Sequence, residues 1–359
     1  MNPRDWRSRT PESRQRILGA VLRGIILPAA LLAATISPAR ARGENSRNRF
    51  SINSRVGFNI SADFKNLGGF PAQSNPGPAT GFVDRFYDDG FHRVDSSGNT
   101  NGTTWFWGYQ NDSQLPGNDT LVMNSSSAPA SGTLRGVSDD PQLGAELAYF
   151  RVLGEDRAYR WGIEVAAGWL DITFDENRTL TSPVTRTSDA YALNGVEPPP
   201  PPYAGEFAEP GPSIGALPTR TVSTLPDAAV TTGQYSLEAR AYSLRLGLRY
   251  ESPFNDRVAL QFGGGFSGAF VDSEFRFRER TMVTGLGEVS RVGAGSESDT
   301  VFGAYVGAGV TAHLTQRLVV FAGAQFEHLS DFNQQTGGKE AEIDFGNSIF
   351  VTIGLSFDL

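Results

Sequence analysis

From residue 49 onward, apolar side chains take alternate positions in eight separate stretches: 49–64, 142–153, 159–174, 235–250, 257–271, 300–314, 317–329 and 343–357. Each is longer than the usual strand of a globular protein. A tilted strand needs about ten residues to cross an outer membrane, and all eight meet that. In the fourth, Tyr242, Leu244, Leu246, Leu248 and Tyr250 oppose Ser243, Arg245, Gly247 and Arg249. In the last, Phe345, Ile349, Val351, Ile353, Leu355, Phe357 and Leu359 share one face, and Asp344, Gly346, Ser348 and Thr352 lie on the other. The connections are short at 154–158, 251–256 and 315–316, and long at 65–141, 175–234, 272–299 and 330–342. Such alternation gives a barrel one plain rim and one decorated rim, with both chain ends at the plain one.

The polar faces set the orientation. They mix small residues with isolated charges. A soluble barrel turns its apolar face inward, and a membrane barrel reverses this. On the membrane reading the interior holds Arg55, Arg245 and Arg249 against Glu146, Glu164, Glu327 and Asp344. Buried charges are costly unless paired, so these groups are expected to pair across the lumen and block it; charges lining a water-filled lumen are the alternative. Trp161, Trp169, Tyr149, Tyr242 and Tyr250 fall on outward positions or near strand ends, where aromatic residues concentrate at membrane interfaces. Within lipid the sheet must close, so the last strand is expected to pair with the first. The fold class is therefore all-β: a closed antiparallel transmembrane β-barrel, up-and-down, of eight strands. A hairpin of 105–109 with 120–123 would raise the count to ten.

Composition narrows the chemistry. The formal net charge is -8, which gives no general reason to expect nucleic acid. The absence of cysteine excludes disulfides and thiolate chemistry, and three histidines make a histidine-rich metal site unexpected. Neither a cofactor nor a metal is expected. Asp88, Asp89 and Asp112 lack the ligand spacing of a calcium loop. Residues 1–41 combine a long basic start, an apolar stretch over 24–36 and the small-x-small site Ala39-Arg40-Ala41. This reads as a secretory signal, which leaves 42–359 as the barrel domain. In the first long connection Trp105, Phe106, Trp107 and Tyr109 form either a contact surface for an extracellular ligand or a lid folded over the barrel mouth.

With these strands in place, the chain resembles the small outer-membrane β-barrel proteins of bacteria. The end segment Gly354-Leu355-Ser356-Phe357-Asp358-Leu359 looks like that family's C-terminal insertion signal, with Leu359 where an aromatic residue is usual. The resemblance implies the outer membrane of a Gram-negative-type bacterium. It also implies contact with outer-membrane lipids, delivery by periplasmic chaperones, and insertion by the barrel-assembly machinery. Members are envelope-stabilising proteins, adhesins, narrow channels or, rarely, lipid-modifying enzymes. His328 and Ser330 resemble the His-x-Ser element of outer-membrane lipid A deacylases, with Glu342 as the carboxylate. Asp331 stands where that family has Asn, and Glu342 has the opposite parity in an unbroken register. The leading expectation is a plugged, non-enzymatic barrel with a structural or surface-binding role. A narrow channel for small solutes or hydrophobic compounds and a lipid hydrolase are the alternatives.

Overall fold

The computed structural model describes residues 47–359 apart from 118, 157 and 158. The segment 1–41, expected to be a secretory signal, lies outside the described residues. The strands in chain order begin with β1 (Asn48–Phe58) and β2 (Ser61–Leu67). Six short ones follow: β3 (Arg85–Tyr87), β4 (Gly90–His92), β5 (Thr103–Thr104), β6 (Trp107–Tyr109), β7 (Thr120–Ser127) and β8 (Gly132–Val137). Next come β9 (Gln142–Glu155), β10 (Arg160–Ala192), β11 (Tyr203–Ala204) and β12 (Ile214–Gly215). The chain then runs through β13 (Thr219–Pro253), β14 (Val258–Val283), β15 (Gly287–His313) and β16 (Leu318–Leu329). It ends with β17 (Phe332–Thr336), β18 (Lys339–Asp344) and β19 (Ser348–Asp358).

The main ladder is antiparallel throughout. β1 pairs with β9, β9 with β10, β10 with β13, and β13 with β14. The series continues through β15, β16 and β19, and β19 lies back on β1. The apolar strand that ends the chain thus has both edges covered, with Ile52 opposite Leu355.

The strands run much further than the alternating stretches suggested. β10 and β13 have 33 and 35 residues. At about 3.3 Å per residue, β13 follows a path of roughly 115 Å, several times the ~25 Å apolar band of an outer-membrane barrel. The segments expected to be outer loops are therefore largely strand. Positions 175–234 hold the upper halves of β10 and β13, and 272–299 hold those of β14 and β15, joined by a tight turn at 284–286. Positions 330–342 hold the β17–β18 hairpin, and 65–141 hold the end of β2 through β8. Two expected strands are interrupted. Asn59 takes a left-handed conformation (φ 58°) between β1 and β2, which asparagine tolerates better than most residues. The break at 345–347 separates β18 from β19.

Along the lower half, Trp161, Ile163, Val165 and Trp169 of β10 and Leu244, Leu246 and Leu248 of β13 are exposed on the outside. Further up, the same pleat turns its apolar residues inward. Leu170, Ile172 and Phe174 follow Trp169 and are buried, and Tyr235, Leu237, Ala239 and Ala241 precede Tyr242 and are buried. No bulge is needed, because the hydrophobic positions change from one parity to the other at Trp169–Leu170 and at Val271 of β14. A second sheet, ordered β17-β18-β2-β8, packs against this upper face. Phe64 of β2 stacks with Tyr235 and Phe275 at 5.8 and 5.5 Å between ring centroids. The upper part is thus a two-layer arrangement with its own dry core.

Beyond it, the sheet β11-β6-β4-β3 and the pair β5–β12 form a cap. The alternative hairpin of 105–109 with 120–123, which would have raised the count to ten, does not form. β6 pairs with β4 and β11 instead, while β7 pairs with the upper end of β10. The other edge of β7 is closed by side chains. Asp89 and Asp88 accept from the backbone N–H of Asn124 and Ser126, both at 2.7 Å, and Gln114 donates to the Val122 carbonyl. Asp88 and Asp89 are accordingly edge caps.

Candidate functional site

The outward belt has two aromatic borders. Trp161 faces Tyr250 across the β10–β13 ladder, and Trp169 faces Tyr242 eight residues higher. The separation is about 27 Å along the strand, or about 20 Å of height at the usual tilt of ~40°. Directly above Trp169 and Tyr242, the paired residues Asp171 and Arg240 form an exposed ion pair at 3.1 Å.

Inside the belt, charged side chains fill the space in two layers. In the lower layer Glu251 lies at the centre, 2.8 Å from Arg49, 2.6 Å from Arg160 and 2.7 Å from Arg249. Arg49 also reaches Asp358 at 2.6 Å, and Arg249 reaches Glu164 at 2.7 Å. In the upper layer Arg55 pairs with Glu327, and Arg245 pairs with Glu146. Asn53 donates to Glu146 at 3.2 Å, and Arg245 donates to Gln325 at 2.6 Å. Arg55 lies over the Phe350 ring, 3.6 Å from its centroid. Between the layers a cavity of about 60 Å³ touches Asn53, Glu146, Arg245, Tyr305 and Gln325. That is room for about two waters.

Six of the seven expected interior charges therefore meet: Arg55, Glu146, Glu164, Arg245, Arg249 and Glu327. Asp344 does not. It is exposed and accepts a hydrogen bond from the Gly346 N–H at 2.7 Å. The break at 345–347 reverses the faces there, so Phe345, expected to point outward, is buried in the upper core. Arg49, Arg160, Glu251 and Asp358 were not expected in the network. They lie at strand ends, where alternation gives the least signal, and Glu251 falls in the connection 251–256 that the pattern predicts.

His328 near the end of β16 and Ser330, one residue past that end, both face outward, just above Phe326. Glu342 also lies on the outer side of its strand, since β18 buries Lys339, Ala341 and Ile343. The three do not join. The His328 Nδ1 pairs with the Gly346 carbonyl. The Ser330 hydroxyl accepts from the Phe302 N–H at 3.4 Å. Glu342 pairs with Lys65, which also binds Glu340 at 3.0 Å. These carboxylates raise the Lys65 pKa above the usual lysine range.

The cap places the aromatic run differently from a simple contact surface. Trp107 and Tyr109 are buried, and they donate to the carbonyls of Pro212 and Pro199. The proline-rich stretch thus serves as a wall of the cap. Trp105 and Phe106 are half-buried. Beside Trp107 the buried His92 donates from Nε2 to the Gly215 carbonyl at 3.0 Å and stacks on Tyr191 at 4.0 Å. Burial pushes its pKa down to about 4. On the outer face Arg93 lies between the rings of Phe86 and Phe106, 5.3 and 4.7 Å from their centroids, and pairs with Asp84 at 3.0 Å. Phe207 meets Phe106 edge-on. Phe86 and Phe207 are exposed. The buried ion pair Lys339–Glu279, at 2.7 Å, was hidden from sequence reasoning because both residues fell in expected loops.

No protein-family model matches the sequence, and no curated protein matches it. The structure is similar to the outer membrane protease OmpT of Escherichia coli, at 12% identity over 91% of this chain and 100% of that one, with a TM-score of 0.30. It is also similar to Ail, the attachment invasion locus protein of Yersinia pestis, solved with the heparin analogue sucrose octasulfate. That match has 11% identity over 87% of this chain and 99% of that one, with a TM-score of 0.28. The translocator domain of the autotransporter NalP from Neisseria meningitidis matches at 10% identity over 97% and 98% of the two chains, with a TM-score of 0.21. At these scores the likeness carries no argument about function.

Proposed function

We propose that this chain is an outer-membrane β-barrel protein of a Gram-negative-type bacterium. In this reading eight strands close into a barrel, a charge-paired plug fills it, and the upper sandwich and cap stand outside the cell in a structural or surface-binding role. The observation that carries the reading is the sorting of side chains over the belt: Leu244, Leu246, Leu248 and Phe262 outside, Arg245, Arg249, Glu146 and Glu327 inside. In water each such Leu or Phe left exposed forfeits about 1.5–3 kcal/mol of burial. Against lipid the same arrangement is the stable one. Outer-membrane lipids are then the partner of the belt, and periplasmic chaperones and the barrel-assembly machinery its route of delivery.

The plug supports a scaffold over a channel. A solute would have to break Arg55–Glu327 and Arg245–Glu146, then cross the apolar core around Phe64. The hydrolase reading gains no support, because Ser330, His328 and Glu342 are each engaged elsewhere. The surface-binding role is assigned to the cap's outer face, where Phe86, Phe106 and Phe207 surround Arg93. Exposed aromatic patches of this kind mark contact sites for other molecules.

Three measurements test the reading. The membrane fraction run unheated and heated on a gel should show a folded band that shifts on boiling; a chain that stays in the soluble fraction with no shift would sink it. Purified protein in planar bilayers should show no discrete openings, and reproducible ones would overturn the plug. Replacing Phe86 and Phe207 with Ser should reduce cell-surface adhesion without altering the folded band.

A further inference from the structure

The outward belt carries a groove of about 420 Å³ between β15, β16 and β19. Val306, Phe326 and Ile349 wall it, and Ala308 and Ala324 floor it. The floor is low because the register sets Ala308 directly opposite Ala324. Next to it stands a ridge of Phe266 and Phe302, 79% and 68% exposed.

The rim above the groove is polar and acidic. The outward face of β16 continues from Phe326 to His328 and Ser330, followed by exposed Asp331; on the other side Asp344 is exposed above Ile349. Gly346 lets the two sides approach. A Cβ there would lie 3.1 Å from the Asp344 carboxylate and 3.4 Å from the His328 ring. Lys65, the basic residue of the neighbouring strand, is held by Glu340 and Glu342. Among the described residues neither Asp331 nor Asp344 has an ion-pair partner.

An apolar trough below and an excess of negative charge above, where Asp331, Asp344 and Glu342 outnumber Lys65, match a lipid with its tail down and a cationic group in its head. We propose that the groove seats one acyl chain of an ammonium-bearing lipid, with the headgroup nitrogen at the carboxylates of Asp331 and Asp344. The proposal rests on the membrane reading above. The rim's charge disfavours a lipid whose head is only anionic, since like charges there repel.

The test uses the full-length protein in detergent, given equal amounts of phosphatidylethanolamine and phosphatidylglycerol with the same chains and examined by native mass spectrometry. The ethanolamine lipid should be retained about tenfold over the glycerol lipid, the factor that ~1.4 kcal/mol supplies. Ala324→Phe, which fills the floor, should abolish retention of both. Asp331→Asn combined with Asp344→Asn should equalise the two while keeping the tail bound. Equal retention by the unaltered protein, retention unchanged by Ala324→Phe, or a lipid-free dimer with a second copy on this wall would each overturn the proposal. Unheated and heated gel lanes of the same samples separate the failures. Loss of the heat-dependent band in the unaltered protein sinks the membrane reading, whereas an intact band without lipid preference sinks the groove alone.

Discussion

The lower and upper halves of β10, β13, β14 and β15 share one pleat but sort their side chains in opposite senses. Below, Phe262, Phe266 and Phe270 of β14 face outward and Ser267 lies inside; above, Val271, Phe275 and Phe277 are inside and Arg278 and Arg280 are outside. Alternation in a strand fixes which residues share a face. The surrounding medium decides which face is buried. The lower half therefore depends on ion pairs for its interior, and the upper half on close-packed rings.

The comparison is best broken by changing each interior in its own terms. Glu146→Ala leaves Arg245 without its carboxylate and weakens the setting of Arg55, at a cost of about 3–5 kcal/mol. The temperature at which the folded gel band disappears should fall sharply. Phe64→Ala empties the stack between Tyr235 and Phe275 and costs a similar ~3–5 kcal/mol. Its effect should appear as lost hydrogen-exchange protection in the upper half while the gel transition stays near its original temperature. If both variants change both readouts equally, the halves do not have separate cores.

The outer faces give the next contrast. Leu246→Arg, at mid-belt, should destabilise the protein by about 2–4 kcal/mol. Val292→Arg, equally outward but high on β15, should stay within about ±0.5 kcal/mol. Chemical denaturation of both variants in the same detergent checks the pair, and equal costs would remove the medium as the cause.

The cap adds a dependence on pH. The folded state holds His92 neutral, with a pKa of about 4 against about 6.5 in the unfolded chain. The unfolded chain thus takes up the proton first, so stability is full above 6.5 and is lost as pH falls toward 4, by about 3 kcal/mol in all. Proteolysis of the cap should accelerate over that window, and His92→Gln should flatten the dependence. The smallest effect belongs to Asp171→Asn at the exposed pair with Arg240, where no measurable change in the gel transition is expected.

The belt was legible because its outward residues are large and its inward ones small or charged, as in Tyr242–Tyr250. The upper half was not, because the change of parity at Trp169–Leu170 resembles the end of a strand. A period-two pattern restarting on the opposite face has the same local appearance as a strand followed by a loop. Asp344 was misplaced by one short break at Phe345–Asn347, which flips every side chain before it. Glu251 was missed because a turn and the last residues of a strand look alike in composition. The cap's Trp107 and Tyr109 were visible as aromatic residues, but their burial depends on prolines some ninety and a hundred positions away.

The carboxylates of Asp88 and Asp89 have a consequence for copies of this chain crowded side by side. Strands with spare donors and acceptors invite neighbours to continue the sheet, molecule after molecule, into fibrils. Along β7 those positions are already occupied from within, so neighbouring copies can stand shoulder to shoulder without polymerising through this strand.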